Sequence, residues 1–362
     1  MGIKCSPQGL KFGNSPTCLL PRLRKTAYFL AAGGFTSAML FYAFWEVDFF
    51  QLGRLLAGSD FRYLAPFFVF LSGFYLFTAW RWKLILRPLG KYTLSQTIPA
   101  MMIGFAGNNI FPAHMGELAR AMVFARRFGL SVSGVFASLV VERVLDVFAI
   151  LFFYLLAIFL TDSFPDSIRL GAEVAASVAA AGCVAIVLFL SLPKKFLALY
   201  WRITAWAPDV LREKGATILQ NTVVGMSALK SPGILLKIFC LSLAKWVLGG
   251  GMVWLALAAF ETSISFSVTM IVIAVSALAV TVPSAPGYLG ALQAAFVFAL
   301  VPFGVPQEVA LAASVFSVVA QWIPVTLLGG VCFAVVGIPL AQISRFGSDR
   351  GEMNPEPKAP GP

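Results

Sequence analysis

From Ser133 to Leu160 the chain runs 28 residues with only three ionisable side chains, Glu142, Arg143 and Asp146, set well inside both ends of the run. A run of this length exceeds the ~20 residues that a helix needs to cross a bilayer. At ~1.5 Å per residue the three charges fall about 15–20 Å from the start of the span, near the bilayer centre. Ionised groups at that depth are expensive unless they meet one another, backbone carbonyls or a hydrated cavity, so they constrain both the packing and the purpose of the fold.

The rest of the sequence agrees with a membrane setting. Hydrophobic residues make up 59% and charged residues 12%, against about 45–50% and about 25% in soluble domains. Five dispersed cysteines and a single histidine, His114, give no metal-ligand spacing and no disulfide framework, and no cofactor is expected. The net charge of +11 could attract phosphates. Its carriers gather in short loops between apolar runs, which argues against nucleic acid as a partner.

The chain is expected to be all-α, with six full spans and two re-entrant broken hairpins. The predicted order is as follows. A basic flank (1–25) precedes a first span, 26–45, and a second follows at about 63–80. A loop WRWKLILRPLGK then carries Arg81, Lys83, Arg87 and Lys91 as headgroup-facing cations between aromatic anchors. Leu94 to Phe111 and Met115 to Phe128, broken at Pro112, form the first hairpin, and 133–160 is the third span. The fourth span is 172–192. A hydrophilic segment, roughly 193–237, contains one or two interfacial amphipathic helices suited to an anionic leaflet. The fifth span, 234–260, holds Lys245 near its middle and the run Gly249–Gly251. The second hairpin, 264–301, breaks at PSAPGYLG, and the last span, 308–340, is expected to be interrupted at Pro324 and Gly329–Gly330. The tail, 343–362, is polar and rich in Pro and Gly, and is expected to be disordered.

Placing both termini and the basic loops on the cytoplasmic side puts 22 basic residues inside and 3 outside, with Arg143 and Lys245 left in the membrane. That bias follows the positive-inside rule. Pro112-x-x-x-Gly116 followed by Phe128-Gly129 recurs as Pro283-x-x-x-Gly287 followed by Phe303-Gly304, and the order span, span, broken pair, span occurs twice. This predicts a duplication, 26–160 and 172–342, within a single transmembrane domain of 26–342. Three full spans separate the two hairpins, so the second copy is inverted and the hairpins approach the midplane from opposite faces, a recurring transporter plan.

Glu142 and Asp146 lie four apart, on one helical face, and need cationic partners. Arg120, Arg143 and Lys245 are the candidates. One reading is an ion-pair network that only locks helices together. The other is a hydrated cavity that handles an anionic headgroup, with helix N-termini at His114-Met115-Gly116 and Gly287-Tyr288 turned toward the phosphate. In that reading Glu117, Glu142 and Asp146 compete with the phosphate or couple to protons. Gln293 is the weaker polar counterpart in the second copy.

At NNIFPAHMGELARA, VVERVLD and PSAPGYLGALQAAF the chain resembles the lysylphosphatidylglycerol synthase transmembrane family, also described as flippase-like or UPF0104. The resemblance covers about residues 26–342. It implies a bacterial inner-membrane protein concerned with lipids, and it carries over Pro112, Gly116, Glu117, Arg120, Glu142, Arg143 and Asp146. His114 stands where the family often has Arg, and Gln293 where many members have an acid. The chain ends soon after its last span, so the cytosolic transferase domain of full-length synthases is expected to be absent. Three functions follow as expectations: translocation of an anionic phospholipid or polyprenyl-phosphate-linked lipid; a membrane enzyme or subunit in headgroup modification, with Glu142 or Asp146 as base; or a scaffold for a partner synthase that modifies lipids.

Overall fold

The computed structural model describes residues 34, 36–45, 47–111, 114–160, 177, 188–189, 191–206, 208–226, 231–280 and 285–336. The expected proline breaks at Pro112 and Pro283, nearly all of the fourth span, the basic N-terminal flank and the tail lie outside them, as does the first half of the first span. The helices are α1 (Phe49–Ala57), α2 (Leu64–Ile85), α3 (Leu94–Ile110), α4 (Met115–Phe128), α5 (Val132–Leu160), α6 (Pro193–Ile203), α7 (Asp209–Met226), α8 (Pro232–Ala258), α9 (Phe266–Ala279), α10 (Ala291–Leu300) and α11 (Gln307–Val336). Residues 36–44 are helical as well, and among the described residues there is no strand.

Local chemistry sets the helix ends. The Asp48 carboxylate accepts the N–H groups of Phe50 and Gln51 at the start of α1. Thr93 and Gln96 form a reciprocal capping box at the start of α3. Gly129, at φ +65°, closes α4 in the left-handed conformation that glycine adopts without penalty.

Among the described residues, four helical stretches are long and apolar enough to cross a membrane: Phe61–Ile85, Pro232–Ala258, Pro286–Phe303 and Gln307–Val336. With α5 at 29 residues, this is an all-α, multi-pass membrane protein. Two sequence expectations are corrected. The second crossing continues to Ile85, so Trp80 to Lys83 are helical rather than loop. The last helix runs unbroken through Pro324 and Gly329–Gly330; one proline removes a single N–H, a loss that a 30-residue helix absorbs.

The packing has a paired pattern. α2 lies along α8. α3 packs on both α4 and α11, while α9 packs on both α10 and α5. α4 meets α5 as α10 meets α11. Exchanging α2–α5 for α8–α11 therefore leaves these contacts unchanged. The glycine run of α8 makes the centre possible: a Cβ on Gly250 would collide with Met270 of α9, and one on Gly251 with Phe70 of α2. Outside this body, α6 has no buried residue, while α7 packs against α5.

A buried charge chain beside a cavity

Five side chains from four helices alternate in sign through the interior: Arg120 of α4, Glu142 of α5, Arg81 of α2, Asp146 of α5 and Lys245 of α8. None is more than 6% exposed. Arg120 grips Glu142 with two bonds, 3.2 and 2.9 Å, and its guanidinium lies over the Trp82 ring, 3.8 Å from the centroid. Arg81 holds Asp146 with both terminal nitrogens, 2.5 and 3.1 Å, approaches Glu142 at 3.5 Å and donates to Ser242 at 2.9 Å. Lys245 Nζ reaches Asp146 Oδ1 at 2.6 Å, and Trp246 Nε1 donates to the same oxygen at 3.0 Å. Each carboxylate is thus matched by two cations, the condition under which buried charges are tolerated.

Arg143 behaves differently. One residue beyond Glu142, it projects about 100° away round the helix, so it does not join the carboxylates of its own helix as the sequence suggested. Its Nε lies 3.0 Å from Glu117 Oε1, on the first turn of α4, and its side chain is 45% exposed. With every group in its ordinary ionised form, the seven residues comprise four cations and three carboxylates, leaving one positive charge uncancelled.

Arg143 lines a cavity of about 210 Å³, walled by residues of α2, α3, α5, α8, α9, α10 and α11. Aromatic rings, among them Phe74, Tyr75, Phe105, Trp246 and Trp322, make much of the wall; Asn108, Asn109, Ser276, Ser317 and Gln321 add polar groups. Gly287 and Tyr288, both at positive φ, line its edge.

The two broken pairs touch at the cavity. His114, itself at φ 54°, brings Nε2 within 2.9 Å of the Val280 carbonyl just beyond α9. A carbonyl can only accept, so the ring proton sits on Nε2. The His114 ring also lies 5.6 Å from that of Tyr288. Asn109, at the end of α3, donates to Thr326 Oγ1 of α11 at 2.9 Å, and Trp322 Nε1 donates to the Asn109 carbonyl at 3.3 Å.

The expected site residues therefore divide into groups. Arg120, Glu142, Asp146 and Lys245 come together in the charge chain. Glu117, Arg143, His114 and Gly287 gather at or beside the cavity. Gly116 sits against the α3 backbone, where a Cβ would meet the Gly104 carbonyl and Asn108, so close helix contact alone demands glycine there. Gln293 accepts the Gly290 N–H at 2.7 Å and caps α10.

Arg81 is the residue that sequence reasoning misplaced, since it is fully buried rather than facing headgroups. Its position was legible in one pattern: Phe67, Leu71, Phe74, Thr78, Arg81 and Ile85 fall on one stripe of α2, and all but Phe74 are buried. Arg120, counted with the loop cations, is likewise interior.

The sequence is similar to known membrane proteins. A "UPF0104 membrane protein" from Methanothermobacter thermautotrophicus (strain Delta H) is 27% identical over 303 residues, covering 76% of this chain and 83% of the relative. The model of the lysylphosphatidylglycerol synthase TM region matches residues 29–329, most of the chain, which therefore belongs to that family of membrane proteins.

Proposed function

We propose that the protein moves an anionic, phosphate-bearing lipid between the leaflets of the bacterial cytoplasmic (inner) membrane. The observation that carries this reading is the uncancelled positive charge beside a cavity at which two broken helix pairs meet. A phosphodiester monoanion would bring the local charge to zero. The aromatic wall suits the apolar part of the lipid, and among the described residues Arg143 is the one cation on it. In this reading the chain crosses six times with both termini cytoplasmic. α3–α4 and α9–α10 are re-entrant hairpins from opposite faces, and the exchangeable packing of α2–α5 and α8–α11 is the trace of an inverted duplication. A lipid-modifying synthase is the partner such a role calls for.

The test is leaflet exchange of fluorescent phosphatidylglycerol in proteoliposomes. The wild-type protein accelerates exchange, and Arg143→Ala returns it toward the protein-free rate. Equal exchange by the two proteins would remove the basis of the proposal.

A further inference from the structure

Among the described residues, the buried serine and threonine hydroxyls each have a hydrogen-bond partner, with two exceptions. Ser59, Thr78, Thr97, Ser138, Ser242, Thr269 and Ser314 each donate to a carbonyl three or four residues back, as helical Ser and Thr commonly do. Thr36 accepts the N–H of Ala285. Ser276 of α9, 3% exposed, and Ser317 of α11, 5% exposed, have no partner for Oγ. Both line the cavity that Arg143 lines. An unpaired hydroxyl in a protein interior carries a desolvation penalty. Two on one cavity, from α9 and α11, with Asn108 Oδ1 the further unpaired polar atom there, mark a place where polar groups are kept for a ligand.

We infer that Ser276 and Ser317 donate to the non-bridging oxygens of a phosphodiester whose charge is met by Arg143. This deepens the proposed function and rests on it, because it assigns the headgroup subsite within the same cavity. Two hydroxyl donors and a guanidinium suit a tetrahedral oxyanion, whereas a neutral headgroup would leave the surplus positive charge uncancelled. The shared chemistry, phosphate oxygen, could come from a lipid or from a soluble ion, and the experiment separates the two.

Full-length protein in phosphatidylcholine nanodiscs is titrated with dioleoyl-phosphatidylglycerol in one arm and inorganic phosphate in the other, with thermal unfolding recorded for each variant. The double variant Ser276→Ala/Ser317→Ala is expected to bind phosphatidylglycerol about tenfold more weakly. Its melting temperature should be equal to or above that of the wild type, since two unpaired buried groups have gone. A loss of binding with undiminished stability is what a purely structural role would not produce. Each single variant should show part of the loss. Phosphate binding to wild type as tight as the lipid, lost in the double variant, would assign the subsite to a free ion and overturn the lipid headgroup. Unchanged lipid binding in the double variant, with Arg143→Ala still weakened, overturns the inference and leaves the proposed function standing. Unchanged binding in all variants removes both.

Discussion

α5 and α11 occupy matching places in the packing and differ in chemistry at matching positions. The eleventh and fifteenth residues of α5 are Glu142 and Asp146; those of α11 are Ser317 and Gln321. On α5 the pair anchors a chain of charges through α2, α4 and α8. On α11 the pair lines the cavity, and the serine bonds to nothing. One architecture thus carries a side that is electrostatically fastened and a side whose polar groups are held open. The difference teaches that polarity at equivalent depth serves attachment where carboxylates meet cations, and ligand contact where neutral polar groups line a cavity.

The sharpest way to break that comparison is to remove a member of the fastened side. Asp146→Ala leaves Arg81 and Lys245 without their shared carboxylate and is expected to cost about 3–5 kcal/mol, the range for orphaning a buried charge. Gln321→Ala, at the matching position, should cost less than about 1 kcal/mol. Both are read by thermal unfolding in one detergent, and similar losses would dissolve the contrast. Arg81→Lys keeps the charge but cannot bond both Asp146 oxygens while reaching Glu142 and Ser242; a loss of about 2 kcal/mol is expected in the same assay. Gly116→Ala drives a methyl into the Gly104 carbonyl and should cost about 1–3 kcal/mol, mainly by separating α3 from α4. Smallest is Arg143→Ala: its half-exposed pair with Glu117 contributes at most about 1 kcal/mol to stability, so unfolding should barely shift although leaflet exchange falls.

Much of this was readable before any coordinates. Long apolar runs fixed the helical membrane character, and α4 matched its expected range, Met115–Phe128, because glycine and the basic Arg126-Arg127 pair mark its end. Charges inside an apolar run singled out Glu142 and Asp146, and both are buried. Arg81 hid because Trp80 and Trp82 beside it look like interfacial anchors, and an arginine between them looks solvated. Its place on the stripe of Phe67, Leu71, Thr78 and Ile85 is the one sign against that reading, and the contact with Asp146, 65 residues on, decides it. Arg143 escaped for a related reason: spacing along a helix says which residues share a face but not which neighbour faces them, and Glu117 came from another helix. The unpaired serines could not be recognised at all, since an unmade hydrogen bond leaves no mark in a sequence.

Asp146 joins three helices at one oxygen, accepting from Arg81 of α2, Lys245 of α8 and Trp246 beside it. Any slide of these helices past one another would strand a full charge in a medium that cannot solvate it. They form a stator. If the protein carries lipid as proposed, the displacement falls on elements outside this junction, and among the described residues the two broken pairs meet beside it, in part through the His114 imidazole.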